Sequence, residues 1–387
     1  MAKRLIAAIS VLLFLAPLVA TEKEPVGEYK SRRDRLAKRI AGNVFVLRGA
    51  PDQDLVEFQQ EDNFYYLTGF DEAGAILIID ASIEPAEDYL FVAERRESQE
   101  RWTGERLDPG ADTAKSLGFN KVLSASEFDE TLARIKSKAK DELTPGRAAP
   151  FIAELRQIKS ATEIALLDKA IQITMKAHQA AARTIAPDVM EYEVEAALEY
   201  EFRRNGAERP AFPSIVGSGP FSTVLHYDKN SRRMKSGEVV VIDIGAEYSG
   251  YAADITRTYP VSGRFSSRQR AIYQIVLDAQ KAALERVKPG NTIRDVHQAA
   301  MEHIREKGYG KYFIHGTSHH IGLRVHDVGP IDRLEANMVL TVEPGIYIPD
   351  ENLGIRIEDD VLVTQTGYRI LSNFPKEIAE IEALVRR

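Results

Sequence analysis

Two stretches of this chain follow one plan, and that plan narrows the fold more than any other feature. Val239-Val240-Val241-Ile242-Asp243-Ile244-Gly245 and Met338-Val339-Leu340-Thr341-Val342-Glu343-Pro344-Gly345 are short apolar runs, each closed by a carboxylate and a glycine. Runs of this length and composition read as buried strands. A second acidic residue follows each at a hairpin's distance, Asp254 and Glu358. The segments ahead of them correspond too. Apolar residues at helical spacing run from Ala161 to Thr184 and Glu191 to Asn205, then again from Gln269 to Val287 and Thr292 to Lys307. Pro187, Val194, Ala197 and Gly206 recur at one constant offset as Pro289, Val296, Ala299 and Gly308, and Ala180-Ala181 recur as Ala282-Ala283. The pattern implies a duplicated α/β unit whose halves fold face to face, each delivering two carboxylates to a shared interface.

A buried carboxylate is costly unless it is paired or bound to a metal. Any one of Asp243, Asp254, Glu343 and Glu358 alone reads as a strand-end residue in a salt bridge or turn. Four of them, two in each repeat, read as a shared cation site. Nitrogen comes from His315-Gly316-Thr317-Ser318-His319-His320-Ile321-Gly322-Leu323-Arg324-Val325-His326-Asp327, which holds four of the eight histidines. In an extended conformation His315 and His319 face one side and His320 the other. Four carboxylates carry a charge of about −4, which two divalent ions neutralise and one leaves at about −2 in a poorly solvated place. Oxygen ligands with one imidazole favour hard ions, manganese first, with cobalt, zinc and iron as alternatives. The chain has no cysteine, so zinc–thiolate sites, iron–sulfur clusters and thiol nucleophiles are excluded together. Two such ions activate water and polarise a carbonyl, which is hydrolytic chemistry.

The remainder frames this unit. A length of 387 residues suits two domains, and a net charge of −7 with no long basic run argues against nucleic acid as a partner. Lys3-Arg4, an apolar run from Leu5 to Ala20 and a polar exit read as a secretory signal peptide over residues 1–20, with an uncleaved anchor as the alternative. Export follows, periplasmic or secreted, without a stable membrane span once the leader is removed. In the first domain, residues 21–146, Ala75–Ile79 and Tyr89–Val92 read as strands. Thr144-Pro145-Gly146-Arg147-Ala148-Ala149-Pro150 reads as the linker, because two prolines and a glycine interrupt either periodicity. Residues 151–387 hold the duplicated unit, and the fold class is α/β (α+β).

The ordered set Asp243, Asp254, His319, Glu343 and Glu358, with His-Gly-x-x-His at His315–His319, resembles the pita-bread metallopeptidases, among them methionine aminopeptidase, prolidase and aminopeptidase P. The resemblance spans roughly Glu154 to the C-terminus. It implies one ion on His319 and Glu343, another on Asp243, and Asp254 and Glu358 bridging both. It also gives Glu343 the handling of the water's protons. Asp62-Asn63-Phe64-Tyr65-Tyr66-Leu67-Thr68-Gly69-Phe70 resembles the first domain of aminopeptidase P and prolidase, which methionine aminopeptidases lack. Leu225-His226-Tyr227, His326-Asp327 and Gly354-Ile355-Arg356-Ile357-Glu358 resemble proline-peptidase motifs. They imply that His226 and His326 line the substrate pocket and stabilise the tetrahedral intermediate, with Arg356 organising the site and His315 beside the substrate. Trp102, the only tryptophan, lies in a segment resembling one that reaches a neighbouring subunit's pocket, which implies a homo-oligomer. Its alternative is a packing residue of its own domain. Arg324 departs from the acidic residue many relatives carry before Val-His-Asp, a change expected to alter local charge or subsite preference. The implied activity is a two-metal Xaa-Pro aminopeptidase acting on peptides with proline second. Prolidase is the enzymatic alternative. Creatinase-like enzymes and metal-free binding modules share the fold without the ligands that this chain keeps.

Overall fold

The computed structural model describes residues 22–52 and 57–385, so the expected leader lies outside the described residues. The first domain is built on five strands, Val44–Arg48, Ile76–Asp80, Glu87–Val92, Lys121–Ser124 and Glu142–Leu143, whose spatial order is fourth, third, second, first, fifth. The central three pair antiparallel, while both outer strands run parallel to their neighbours. Alternation along these strands feeds two separate cores. Phe45, Leu47, Leu77, Ile79 and Leu90 point into the main core, whereas Val44, Val46, Ile76, Ile78, Tyr89 and Phe91 meet Phe128 and Ile135 on the other face. Covering both faces explains why the strands read as continuous apolar runs.

The segment expected to be a linker is instead the start of a helix, Pro145–Gln157. Pro145 occupies the first helical position, where the missing N–H costs nothing and the fixed φ helps. Pro150 lies inside the helix, but it and Gly146, whose carbonyl it leaves unbonded, are both exposed, so solvent can satisfy that carbonyl.

The second domain carries the duplication in its backbone. Helices Ala161–Thr184 and Glu191–Arg204 are answered by Ser267–Leu284 and Ile293–Glu306. Asp188 donates its N–H to the Met234 carbonyl, and Gly290 donates to that of Leu334, each at 2.9 Å. Isolated bridges join Met190 to Arg233 and Thr292 to Arg333. Left-handed residues also match, Asp188 with Gly290, Gly206 with Gly308 and Gly237 with Asn337. Turn chemistry of this kind is local, and it survives in both copies.

Each half supplies an antiparallel pair, Val239–Ile244 with Ile255–Pro260 and Val339–Val342 with Asp359–Val363. The halves meet where the Glu358 N–H donates to the Thr256 carbonyl at 3.1 Å and Arg257 Nη1 donates to the Glu358 carbonyl at 2.6 Å. Gly245 is required where the first hairpin bends, because a Cβ there would strike the Ala253 carbonyl oxygen. The histidine-rich stretch is irregular, not a strand, and is held against Val339–Val342 by a bridge between His320 and Leu340. The expected facing of its histidines holds even so. His315 and His319 turn toward the carboxylates, while His320 Nε2 meets Gln157 at 2.9 Å.

Candidate metal centre

The four carboxylates and His319 line one cavity of about 240 Å³, together with His226, His326, Val325, Asp228, Phe212, Pro213 and Ile215. Asp243 sits in mid-strand opposite Thr256, and Glu343 follows directly on Val339–Val342. The Glu343 N–H bonds to the Thr317 carbonyl at 2.8 Å, and Thr341 and His319 exchange further bonds, so the loop is laced to the strand. His319 Nε2 stands 3.5 Å from Asp254 Oδ2 and 3.4 Å from Glu343 Oε1. Ligand atoms of Asp254, His319 and Glu358 all lie within 4.8 Å of one another.

The residues fit a bound cation by an independent criterion. Asp243 Oδ1, Asp254 Oδ1 and Glu358 Oε1 are buried and have no hydrogen-bond donor. Buried acceptors are rarely left without a partner, and three carboxylate oxygens orphaned around one cavity call for a cation. Burial, then the charges of Glu358 and Asp243, pushes the Asp254 carboxyl well above its ordinary range. Burial, then Glu343 and Asp243, does the same to Glu358. Glu343 is pushed up to about 8 by burial, against the pull of Arg356. Burial and the facing His326, whose ring centroid is 4.3 Å away, hold His319 down at about 4. A neutral imidazole with its Nε2 lone pair toward the carboxylates is in the state a metal ligand needs.

A hydrogen-bonded chain stands behind these groups. Arg356 Nη2 donates to Asp243 Oδ2 at 2.6 Å, and Nη1 donates to Tyr347 Oη at 2.9 Å. Tyr347 Oη meets His315 Nε2 at 2.8 Å, and His315 Nδ1 faces the Gly316 carbonyl at 2.7 Å. The carbonyl fixes the proton on Nδ1, so Tyr347 donates to Nε2. Burial and Arg356 keep His315 low, at about 4, consistent with that neutral tautomer. Thr256 Oγ1 donates to Glu358 Oε2 at 2.6 Å and accepts from Arg356 Nε at 3.1 Å. Neither His315 nor Arg356 lines the cavity wall. Arg356 reaches the cavity's Asp243 by its hydrogen bond, and His315 Nδ1 is 3.7 Å from Glu343 Oε2. Trp102 stands outside the cavity and is 90% exposed, so it is not a packing residue of its own domain.

Tyr347 and Thr256 escaped the reading of the sequence. For Thr256 the signal was strand alternation, since it is two positions beyond Asp254 and pairs opposite Asp243. Tyr347 lies in Gly345–Ile348, a strand cut off from Val339–Val342 by Glu343 and Pro344, and alternation does not reach it.

Residues 165–365 match the model of metallopeptidase family M24, and residues 29–144 match the aminopeptidase P N-terminal domain. The Xaa-Pro aminopeptidase of Haemophilus influenzae is 35% identical, over 94% of this chain and 98% of that one. The Xaa-Pro dipeptidase of Pyrococcus furiosus is 45% identical, over 90% of this chain and 99% of that one. A solved structure of zinc-substituted Escherichia coli aminopeptidase P in complex with product superposes with a TM-score of 0.87 at 33% identity, covering 94% of this chain and 99% of that one. With four carboxylates and His319 around one cavity, a matching first domain and relatives aligned nearly end to end, the chain belongs to metallopeptidase family M24 and carries the aminopeptidase P type of N-terminal domain.

Proposed function

We propose that this chain is a dinuclear metal-dependent aminopeptidase that hydrolyses the bond between the first residue and a following proline. The observation that carries the reading is the set of orphaned carboxylate oxygens and one neutral imidazole around a cavity whose mouth holds two exposed histidines. The Xaa-Pro specificity comes from the relatives. His319 and Glu343 would hold one ion and Asp243 the other, with Asp254 and Glu358 touching both. Manganese suits this donor set best, with cobalt, zinc and iron as alternatives. Bound there, the ions supply Lewis acidity for the scissile carbonyl and an activated water.

The chain's own groups do the rest. Glu343 accepts a proton from the attacking water and returns it to the proline nitrogen as the C–N bond breaks. That nitrogen belongs to a tertiary amide, so a site that reads ring shape suits it better than one that needs an N–H donor. His226 and His326 offer N–H groups to the developing oxyanion, where added hydrogen bonding favours the transition state over the ground state. Arg356 fixes the Asp243 carboxylate, and the His315–Tyr347 pair fixes Arg356.

Prolidase activity is the second reading, favoured by the 45% identity to the Pyrococcus furiosus dipeptidase. Comparing Gly-Pro, Arg-Pro-Pro and a longer Xaa-Pro peptide with added manganese separates them. Cleavage confined to Gly-Pro converts the assignment to prolidase, and equal cleavage of Xaa-Ala controls defeats both. Glu358→Ala abolishes turnover and lowers metal content under either reading; near-wild-type turnover would sink the site. Two further parts belong to the proposal, each with its own check. Export predicts a mature N-terminus near Thr21, overturned by intact Met1 in a cytoplasmic fraction. No described helix is long and apolar enough to cross a membrane. A homo-oligomer predicts more than a monomer's mass by light scattering.

A further inference from the structure

The residue that departs from the family pattern, Arg324, does not face the metal cavity. Its guanidinium forks onto Asp62 in the first domain, Nε to Oδ2 at 2.9 Å and Nη2 to Oδ1 at 2.9 Å. Three positions on, Asp327 is held by Arg156 Nη2 and, at 3.3 Å, by Lys159 Nζ. Arg156 Nη1 in turn donates to Asn63 Oδ1 at 2.9 Å. The two residues between these anchors, Val325 and His326, are the ones that line the cavity. Asp62 and Asn63 are consecutive in the first turn of helix Asp62–Thr68, which Glu61 caps and whose Phe64, Tyr66 and Leu67 are at most 1% exposed. One turn of a first-domain helix thus holds the Arg324 end of this short loop directly, and through Asn63 and Asp62 it touches the Arg156 that holds the Asp327 end.

We propose that the Asp62–Arg324 pair, with Asn63–Arg156–Asp327 behind it, is an interdomain latch that sets the position of His326. Asp62 and Arg324 are positioning residues, and the first domain contributes to turnover through them. The inference rests on the role given to His326 above. Bidentate Arg–carboxylate geometry fixes direction as well as distance, which a lysine or a neutral amide does not reproduce. The pair is partly exposed, so its worth to global stability is small, and its effect falls on where the loop sits.

The test compares Asp62→Asn, Arg324→Gln, the charge-reversed singles Asp62→Arg and Arg324→Asp, and the double swap, all as full chains loaded with manganese. Each single lowers kcat on an Xaa-Pro peptide roughly tenfold, the scale expected when a catalytic contact is misplaced by a fraction of an ångström. Metal content stays at the wild-type level, and backbone hydrogen exchange across residues 322–327 accelerates. The double swap recovers only part of both, because Asp62→Arg also sets a cation against Arg156, which stands 3.6 Å from Asp62. Singles with unchanged kcat and exchange overturn the latch. Should the wild type cleave no Xaa-Pro peptide, the functional reading fails, and the exchange comparison still decides whether the two domains are latched.

Discussion

Replacing Arg32 by methionine should destabilise the chain in a pH-dependent way whose sign is set by the geometry. Arg32 is fully buried between the domains. Its Nη2 lies 2.6 Å from Glu24 Oε2 and 3.4 Å from Glu163 Oε2, with both carboxylates at most 2% exposed. Tyr251 Oη lies 2.9 Å from Glu24 Oε1 and 3.1 Å from Glu163 Oε1, its one proton shared between them, and it stands three residues before Asp254 of the candidate metal centre. One guanidinium therefore contacts two carboxyls, and burial already pushes Glu163 up despite Arg32 and the more distant Lys159. Without the guanidinium, a buried carboxyl must either remain charged and unpaired or take a proton. Breaking a buried pair costs about 3–5 kcal/mol, and protonation caps that cost at about 1.4 kcal/mol per pH unit above the ordinary carboxylate value. A carboxyl whose pKa is raised on folding binds its proton more tightly in the folded state, so stability is lost as pH rises through that window. The deficit of Arg32→Met relative to wild type should be about 1 kcal/mol at pH 5 and larger by about 2–4 kcal/mol at pH 8, or roughly 4–8 °C in Tm. Thermal melts of both proteins at the two pH values measure it. Glu24→Gln leaves one cation for one carboxylate and removes a charge that raises Glu163, so its deficit should not grow with pH. A deficit for Arg32→Met that is flat, or that shrinks as pH rises, would refute the reasoning.

Thr256→Val keeps the shape but strips Glu358 of its donor and Arg356 of an acceptor, and should cost about 10–100-fold in metal affinity or activity; unchanged manganese affinity and turnover would count against it. Gly245→Ala should cost more than about 3 kcal/mol, because the new Cβ meets backbone that cannot yield; a soluble variant with the wild-type Tm would contradict that. Trp102→Ala removes a side chain that is 90% exposed and should leave Tm within about 1 °C. If Trp102 serves a neighbouring subunit's pocket, kcat/KM falls in the oligomer, and full activity in a confirmed oligomer removes that role.

The elements legible in the chain were those whose causes are local. The paired apolar runs at Val239 and Val339 formed strands, the helices recurred at their offset, and the repeated turns kept their left-handed residues. Chemical type was legible too, since carboxylates and a histidine embedded in such runs have few inexpensive fates, and Asp243, Asp254, His319, Glu343 and Glu358 do share one cavity. The prolines of residues 144–150 misled because their effect depends on position. At the first turn and on an exposed face a helix tolerates what its interior would reject. Partners distant in sequence were beyond reach. Nothing near Arg324 reveals that Asp62 lies opposite, nothing near Arg32 reveals Glu163, and nothing near Asp243 shows that Arg356, tied to Tyr347, holds one of its oxygens while the other is left without a donor. Periodicity and residue chemistry act over a few positions and so are written along the chain. Which charge meets which, and in how little water, depends on bringing the two halves and the first domain together, and only the folded structure decides that.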